Sequence, residues 1–523
     1  MPAVIKEQKS IRAREHKELS HCPDASCQQK RTNALVSYGF IHLLILFLFT
    51  SGCAVNQDKE IAYYRDVLGK SPEGVPETLE PNQPLVLVTA LQMANWHNEQ
   101  LAIKGEQYLQ TLIDKDRAAS NFLPQIAYIP TYTRQEKISF SGPLGNLGSQ
   151  FVPPHTFDQP VDAQLNLNVP RDIANVERAN SAAEQQKNLL LDLKSTILLD
   201  VARVYYQVML YESQVSVLEN SVSVQNDRVT NVRNMYRAGT ARQLDVVQAQ
   251  AQLSQTKVSL IKAKNNASTG RATLAFLINT PIVGGDLSDE LQLPSHLPSY
   301  EQLLSTAREN REDLKAATHQ VEASVHSLQE TWSRYFPSIS LNFTYFLSRQ
   351  SFPSDVSWLY SLGLNVPVFS AGLIHEDVRT AWSILRQAKL YESYLYRQID
   401  EELKVAIENY NETANELSEL QVLVKAAQDE LQRSIYAYKA GLATNLDTII
   451  ARNQLLTAEL SLTETEFNEK INFLNLMRIM GQFDAASLKS GFEEELKNIT
   501  AGDTTTQDKI ELRAEITDQC CNR

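Results

Sequence analysis

Few side chains of this 523-residue chain stand where they could do chemistry. His319 and His326 share one face of a predicted helix, but a metal site would need further ligands close to them. The sequence has no glycine-rich phosphate loop, no His-Glu-x-x-His motif and no serine nucleophile elbow. These residues predict no enzyme, no metal site and no cofactor, so any energy the protein uses must come from a partner.

Cys53 is the cysteine whose surroundings suggest a modification. It follows an apolar stretch at residues 41–49 and a run of small residues, and this order resembles a bacterial lipobox, although Thr50 replaces the usual leucine. We therefore expect residues 1–53 to be a signal peptide with a lipobox, and Cys53 to be lipidated as the first residue of the mature protein. A signal anchor, or an unmodified cysteine after a chance apolar stretch, is the alternative.

The body of the chain is a duplicated unit. Residues 236–241, Tyr-Arg-Ala-Gly-Thr-Ala, return as Tyr-Lys-Ala-Gly-Leu-Ala at residues 438–443. A Leu-Asp pair follows both copies, and the spacing holds without a gap over about 40 residues. A constant offset predicts an internal two-fold repeat, with repeat 1 over residues 85–284 and repeat 2 over residues 285–484.

The flanking segments differ from this body in composition. Residues 54–84 are polar and contain several prolines, so we expect an extended N-terminal tether. Residues 485–523, which include Cys520 and Cys521, are polar and poor in aromatics, which predicts a disordered C-terminal tail.

Four segments alternate between apolar and polar residues, with the period of a β-strand. Each is about 9–11 residues long, the length of a tilted membrane-spanning strand, although soluble hairpins alternate equally well. Amides and hydroxyls line the polar faces, as a water-filled lumen requires, and the export signal also favours membrane strands. The clearest apolar faces consist of Val161, Ala163, Leu165, Leu167 and Val169, of Ile339, Leu341, Phe343, Tyr345 and Leu347, and of Trp358, Tyr360, Leu362, Leu364 and Val366.

Helices occupy most of the remaining sequence. Thr89 is predicted to cap a helix that ends near Asn121, and Ser299 with Gln302 forms a capping box for its counterpart. A helix of about 65 residues, roughly 97 Å long, follows each strand pair and shows the heptad pattern of a coiled coil. Each long helix ends at a glycine that permits a left-handed cap, and a second helix then returns as an antiparallel hairpin.

Four strands cannot span a membrane alone, because a sheet in lipid must close on itself. An open pore needs more than about eight strands and therefore at least three chains, and three would supply twelve. The predicted fold class is therefore mainly α with a small β part. It combines a 12-stranded transmembrane β-barrel, with four strands per chain, and a trimeric α-barrel of long coiled-coil hairpins.

Residues 85–484 resemble the TolC-like outer-membrane efflux proteins, in their lipoprotein branch. The specific features are the Phe/Tyr-[Leu/Phe]-Pro-x-Ile start of the strands, the Leu-x-Leu-Asn-Val-Pro end and the Tyr-[Arg/Lys]-Ala-Gly tips. A glycine that typically follows the second strand is present as Gly372 but is missing from repeat 1. The resemblance implies a homotrimer in the cell outer membrane, with a long periplasmic extension.

The resemblance also implies a function and partners. The trimer would be the outer-membrane exit duct of a tripartite efflux or type I secretion system, docked to a periplasmic adaptor (a membrane fusion protein) and an inner-membrane transporter. A net charge of −13 disfavours nucleic acid as a partner. The main alternative is a lipid-anchored periplasmic coiled-coil scaffold without a pore, which leaves the strands unexplained. An exported enzyme is a further alternative, but it lacks a catalytic constellation.

Two groups of site residues follow from the resemblance. Leu446 and Asp447, with Asp245 at the equivalent place in repeat 1, would form a periplasmic gate, whereas the spacing from Thr444 allows Asp447 to be only a helix cap. The hairpin tips would contact the adaptor, whereas a helix C-cap without a partner is the alternative. The tip residues are Gly239, Thr240, Ala241, Gly441, Leu442 and Ala443.

Overall fold

The computed structural model describes residues 55–69, 84–136, 154–289, 291–294 and 296–484. The chain divides into two units, residues 1–60 and 61–523, and the described part of the first is only the beginning of a helix. The predicted signal peptide with Cys53 and the predicted tail at 485–523 lie outside the described residues.

Most of the described chain is helical. The first half contains α1 (Gln57–Leu68), β1 (Leu85–Val86), α2 (Leu87–His97), α3 (Glu99–Ser120), β2 (Gln125–Tyr128), β3 (Thr131–Arg134), β4 (His155–Leu167), α4 (Val169–Arg237) and α5 (Gln243–Leu277). The second half contains β5 (Leu287–Ser288), α6 (Tyr300–Asn310), α7 (Glu312–Trp332), a 3-10 turn (Ser333–Tyr335), β6 (Ser338–Ser348), β7 (Trp358–Asn365), α8 (Leu373–Lys439) and α9 (Asn445–Ile479). Among the described helices, none is apolar over a long enough stretch to cross a membrane.

Helix α1 replaces part of the predicted extended tether. Tyr64 and Leu68 are buried against α3 in a cluster with Leu101. The Tyr64 ring lies so close to Gly105 that a Cβ there would fall 2.4 Å from it. The prediction of extended chain is therefore wrong over this helix. Two apolar side chains that an extended tether would expose to water are instead buried against α3.

The predicted single helix from Thr89 to Asn121 is in fact two helices. Helix α2 begins directly after β1, without a side-chain cap, and the chain breaks at Asn98. The Asn98 carboxamide oxygen accepts hydrogen bonds from the backbone N–H groups of Gln100 and Leu101, at 2.9 and 3.3 Å, and so caps α3. The capping box predicted at Ser299 is confirmed at the start of α6.

The main sheet has five antiparallel strands that fill four positions, in the order β2/β3–β4–β6–β7. Strands β2 and β3 both pair with β4 and are separated at Pro130, which has no backbone N–H to donate to the ladder. The register places apolar residue opposite apolar residue in every pair: Ile126 with Ala163, Leu165 with Leu341, and Phe343 with Tyr360. One apolar face thus runs unbroken across all four positions, and the alternating strand pattern is confirmed.

The two junctions between sheet and long helix are built differently. The Asn168 side chain caps α4 immediately after β4, and its amide also donates to the carbonyl of Ser333 at 3.1 Å. Before α8 the chain first passes a short loop and turns at Gly372, whose φ is +84°. Repeat 1 needs no glycine because its helix begins directly at the strand end, without the left-handed turn.

The long helices form two antiparallel hairpins that pack side by side. Helix α4 contacts both α5 and α9, α8 contacts α9, and α5 also touches α9, so α4 and α9 join the two hairpins. The largest core cluster lies midway along α4, around Tyr205 and Tyr206. The Tyr205 hydroxyl is 2.7 Å from the carbonyl oxygens of both Leu85 and Ser288, and so ties α4 to the small parallel sheet β1–β5.

Candidate functional site at the hairpin tips

Both helical hairpins turn at a glycine in the left-handed region. The φ angles are +78° at Gly239 and +73° at Gly441, as the sequence predicted. The amide of Thr240 then donates to the carbonyl of Met235 at 2.9 Å, and the amide of Leu442 donates to Ala437 at 2.8 Å. These bonds satisfy the last carbonyls of α4 and α8, so each tip is a closed helix cap.

The tip side chains remain on the surface. The side chain of Leu442 is 84% exposed, and Thr240 beside Gly239 is also exposed. Ala241 and Ala443 are partly covered by the turns themselves. The helix caps explain why glycines stand at the tips, but they do not explain why a leucine is exposed there. Adaptor docking at the six tip residues stays a prediction.

Asp447 caps α9 without losing its charge. Its Oδ2 accepts hydrogen bonds from the Thr444 backbone N–H at 2.7 Å and from the Thr444 hydroxyl at 2.8 Å. These bonds hold the pKa of the Asp447 carboxyl below its usual value. The side chain is exposed, and it forms no ion pair with any described residue. Capping therefore fixes the carboxylate in place and leaves its negative charge facing solvent.

Asp245, the equivalent residue of the first hairpin, is buried and paired. Arg242 donates to it from the backbone N–H at 2.9 Å, from Nε at 3.3 Å and from Nη2 at 3.0 Å. Burial raises the pKa of Asp245, but the hydrogen bonds and the positive charge of Arg242 outweigh this, so that its pKa is lowered. Residues at equivalent sequence positions thus present a free charge in one hairpin and a neutralised charge in the other.

Apolar side chains accompany Asp447 at the start of α9. Leu446 and Ile450 are each about half exposed, at 49% and 47%. Both lie within one helical turn of the carboxylate, so the first turn of α9 presents one charge among exposed apolar groups.

A polar network joins the two hairpins just behind the tips. Arg228 of α4 donates from Nη2 to Asn445 Oδ1 at 2.7 Å and to the Thr448 hydroxyl, and its guanidinium lies 5.2 Å from the centre of the Tyr438 ring. Asn445 in turn donates to the Asp245 carbonyl at 3.3 Å. Sequence reasoning missed this network. The repeat gave no signal for it, because Glu430 stands at the position equivalent to Arg228.

The histidines that opened the sequence analysis are not brought into a metal site. His319 Nδ1 lies 2.8 Å from Glu322 of its own helix, and His326 Nδ1 lies 3.1 Å from Gln329. Within the part of the chain that the structure describes, no three residues of metal-binding type come together.

Sheet and hairpins form an unusual combination. A sheet with one apolar and one polar face is joined to helices of 69 and 67 residues, as a strand barrel with a long helical extension requires. The family model of the outer membrane efflux proteins matches residues 113–280 and 303–482. The chain belongs to this family of outer membrane efflux channels.

Relatives and solved structures agree with this assignment. The chain is 23% identical over 312 residues to the outer membrane efflux protein BepC of Brucella suis, covering 58% of this chain and 67% of BepC. It is 22% identical to nodulation protein T of Rhizobium leguminosarum, covering 66% and 76%. Its fold is similar to that of the outer-membrane channel OprN (TM-score 0.67, 17% identity, 79% of this chain and 98% of OprN). It is also similar to VceC of Vibrio cholerae (TM-score 0.64, 17% identity, 76% and 96%).

Proposed function

We propose that this chain forms, as a homotrimer, the outer-membrane exit duct of a tripartite efflux or type I secretion system. The observation that carries the proposal is the sheet. Its apolar face is continuous across four strand positions, and the outer positions, β2/β3 and β7, each pair on one side only among the described residues. In lipid those outer edges need partners, and three copies supply a closed barrel of twelve strands.

The hairpins extend the duct away from the membrane. Helix α4 follows directly from β4 and α8 follows β7 after a short loop, and 69 residues of helix span about 100 Å. In the trimer, six such hairpins form an α-barrel in the periplasm. Substrates would therefore pass through a continuous conduit from the tips to the exterior.

The partners lie at the tips. The duct has no energy source of its own, so an inner-membrane transporter must drive export, and a periplasmic adaptor must connect the two. Several relatives are described as outer membrane proteins of efflux pumps, such as TtgC of Pseudomonas putida, which supports this arrangement. The exposed Leu442 and its neighbours at the tips are the proposed adaptor contacts.

The gate is a ring of three Asp447 carboxylates with Leu446 beside them. Like charges around a narrow axis repel one another, attract cations and ease apart when the helices spread. Asp245 contributes less to this ring, because Arg242 neutralises it. The Arg228 network links the second tip to the first hairpin, and so holds the entrance closed.

The N-terminus anchors the duct to the membrane. Residues 1–53 form the signal peptide, Cys53 carries the lipid, and residues 54–84 lead to the body. The repeats at 85–284 and 285–484 then form the two halves of each subunit. The scaffold alternative gives the apolar sheet face no role, and so explains less of the molecule.

Conductance tests the function directly. Purified protein added to a planar lipid bilayer should open stable channels whose conductance is carried mainly by cations. A scaffold without a pore would bind the bilayer through its lipid and leave the current at baseline. That outcome, with intact lipidated protein, would refute the duct.

A further inference from the structure

A small cavity lies behind the tips, where the helices α4, α5 and α9 meet. Arg228 of α4, Gln252 of α5 and Arg452 of α9 are among the residues that line it. Its volume is about 10 Å³, which is room for one particle the size of a water molecule or a monatomic ion. Two of the side chains around this space are cations, and they come from different hairpins.

Arg452 has no partner for its charge among the described residues. Its guanidinium is partly buried, and it forms neither a hydrogen bond nor an ion pair with any described group. Burial lowers the pKa of Arg452 and the positive charge of Arg228 lowers it further, while Glu459, two turns along α9, offsets this only in part. The described protein therefore supplies no acceptor for the five N–H donors of this side chain.

Arg228 is bonded only to neutral groups. Its Nη2 donates to Asn445 and Thr448, and its guanidinium lies near the Tyr438 ring. Its Nε–H is buried and has no acceptor within the described chain. Burial lowers the pKa of Arg228, and Tyr438 opposes this only in part. A second positive charge with an unused donor thus stands beside the cavity.

The other groups around the cavity supply no negative charge. The Gln225 and Gln252 carboxamides are already hydrogen-bonded to other side chains, at 3.0 and 2.7 Å. Ala249 and Ile449, which complete the wall, are apolar. Two like charges in a partly enclosed space repel each other, and a buried charge without a counter-charge is costly. An anion in the cavity relieves both costs, because it accepts hydrogen bonds from the two guanidinium groups.

We propose that this cavity binds one chloride ion, held between the guanidinium groups of Arg228 and Arg452. The volume admits a monatomic anion and is too small for sulfate or phosphate. Because α4 and α9 belong to different hairpins, the ion joins the hairpins just behind the tips. The site occurs once in each chain, because the equivalent positions of the other hairpins hold Glu430 and Gln250.

Bromide locates the ion, because it replaces chloride and scatters X-rays anomalously. In crystals of the full-length protein soaked in sodium bromide, an anomalous peak should lie within hydrogen-bonding distance of both guanidinium groups. Arg452→Gln is the test variant, because it removes one of the two cations and breaks no hydrogen bond between described groups. The peak should disappear in Arg452→Gln and persist in the matched control Arg233→Gln, since Arg233 is an exposed arginine of α4. No peak in the wild type, or a peak that persists in Arg452→Gln, would overturn the proposal.

Hydrogen exchange tests binding in solution. A ligand that binds only the closed packing slows exchange by one plus the ratio of its concentration to its Kd. At about 0.1 M chloride, exchange at residues 445–452 should be about threefold slower, or more, than in gluconate at equal ionic strength. Arg452→Gln should exchange equally in both salts, and Arg233→Gln should behave like the wild type. Equal exchange of the wild type in both salts would contradict the proposal, and a bromide peak without this difference would mark an adventitious ion only.

The chloride site rests on the fold of one chain and not on the proposed duct. A protein that conducts but shows no bromide peak would overturn the site alone. A protein that binds bromide in the cavity but opens no channel would overturn the duct alone.

Discussion

At the scale of single residues, equal sequence positions do not have equal electrostatics. Asp447 and Asp245 occupy the same place in the two capping boxes. The N-cap residue is Thr444 beside Asp447 but Arg242 beside Asp245. Thr444 orients the Asp447 carboxylate without neutralising it, whereas Arg242 covers and neutralises Asp245. The duplication therefore leaves one exposed, unpaired carboxylate at the described tips, and its capping role is compatible with the proposed gate.

Asp447→Asn should reduce the cation selectivity of the reconstituted channel by about twofold or more, because three charges leave the narrowest ring. The effect should shrink at high salt, where exposed charges are screened beyond about 3 Å. Reversal potentials in a KCl gradient measure it. Asp245→Asn is the matched control and should change selectivity less. Equal selectivity in Asp447→Asn and wild type, with the trimer intact, would leave Asp447 as a cap only.

Arg228→Leu should favour the open entrance. The variant removes two hydrogen bonds from a charged donor to α9, each worth about 1.5–3 kcal/mol, which is enough to shift a closed-to-open ratio at least tenfold. Mean conductance at low voltage reports the shift. Arg233→Leu is the control, since Arg233 is exposed on the same helix. A conductance equal to wild type in Arg228→Leu would show that the network holds structure only.

At the scale of elements, the sequence predicted the features that depend on residues close together in the chain. Period-two alternation gave the strands and their apolar face, and the glycines at 239 and 441 gave the hairpin ends. Helix α1 was missed because it depends on residues far away in sequence, whereas the break at Asn98 had a local signal that was overlooked, an asparagine that caps the helix after it. Tyr64 is helical because it has Gly105 to pack against, and no pattern within its own segment shows that.

Tyr64→Ala should release α1 from α3. Truncating a fully buried aromatic side chain costs about 3–5 kcal/mol, more than a helix of 12 residues gains by itself. Hydrogen exchange at residues 61–68 should rise to the rate of unstructured chain, while exchange in α4 stays slow. Tyr63→Ala is the control, because Tyr63 lies on the same turn but its side chain is exposed. Continued protection in Tyr64→Ala would show that α1 is held by other contacts.

At the scale of the whole molecule, the proposed duct extends past one chain. Its elements are incomplete in a single copy, because among the described residues the outer strands of the sheet pair on one side only, and the proposed carboxylate ring has one member. Sequence could reveal these parts because each follows a periodic pattern. It could not reveal the Arg228 network, because that depends on how two hairpins pack.

Cys53→Ser should abolish labelling by radioactive palmitate and leave an unprocessed or mislocalised precursor, because lipid transfer requires the thiol. Trimers should still form from the fraction that reaches the membrane, since the strands insert without the lipid. Unchanged labelling in the variant would remove the lipobox from the account.

The mass of the detergent-solubilised protein tests the central claim most directly. Light scattering coupled to gel filtration, corrected for bound detergent, should give three times the mass of the mature chain. The same sample should run as a trimer on a gel without heating and as a monomer after boiling. A stable monomer with no heat-modifiable band would contradict the account, because one sheet of four strand positions cannot close in a membrane.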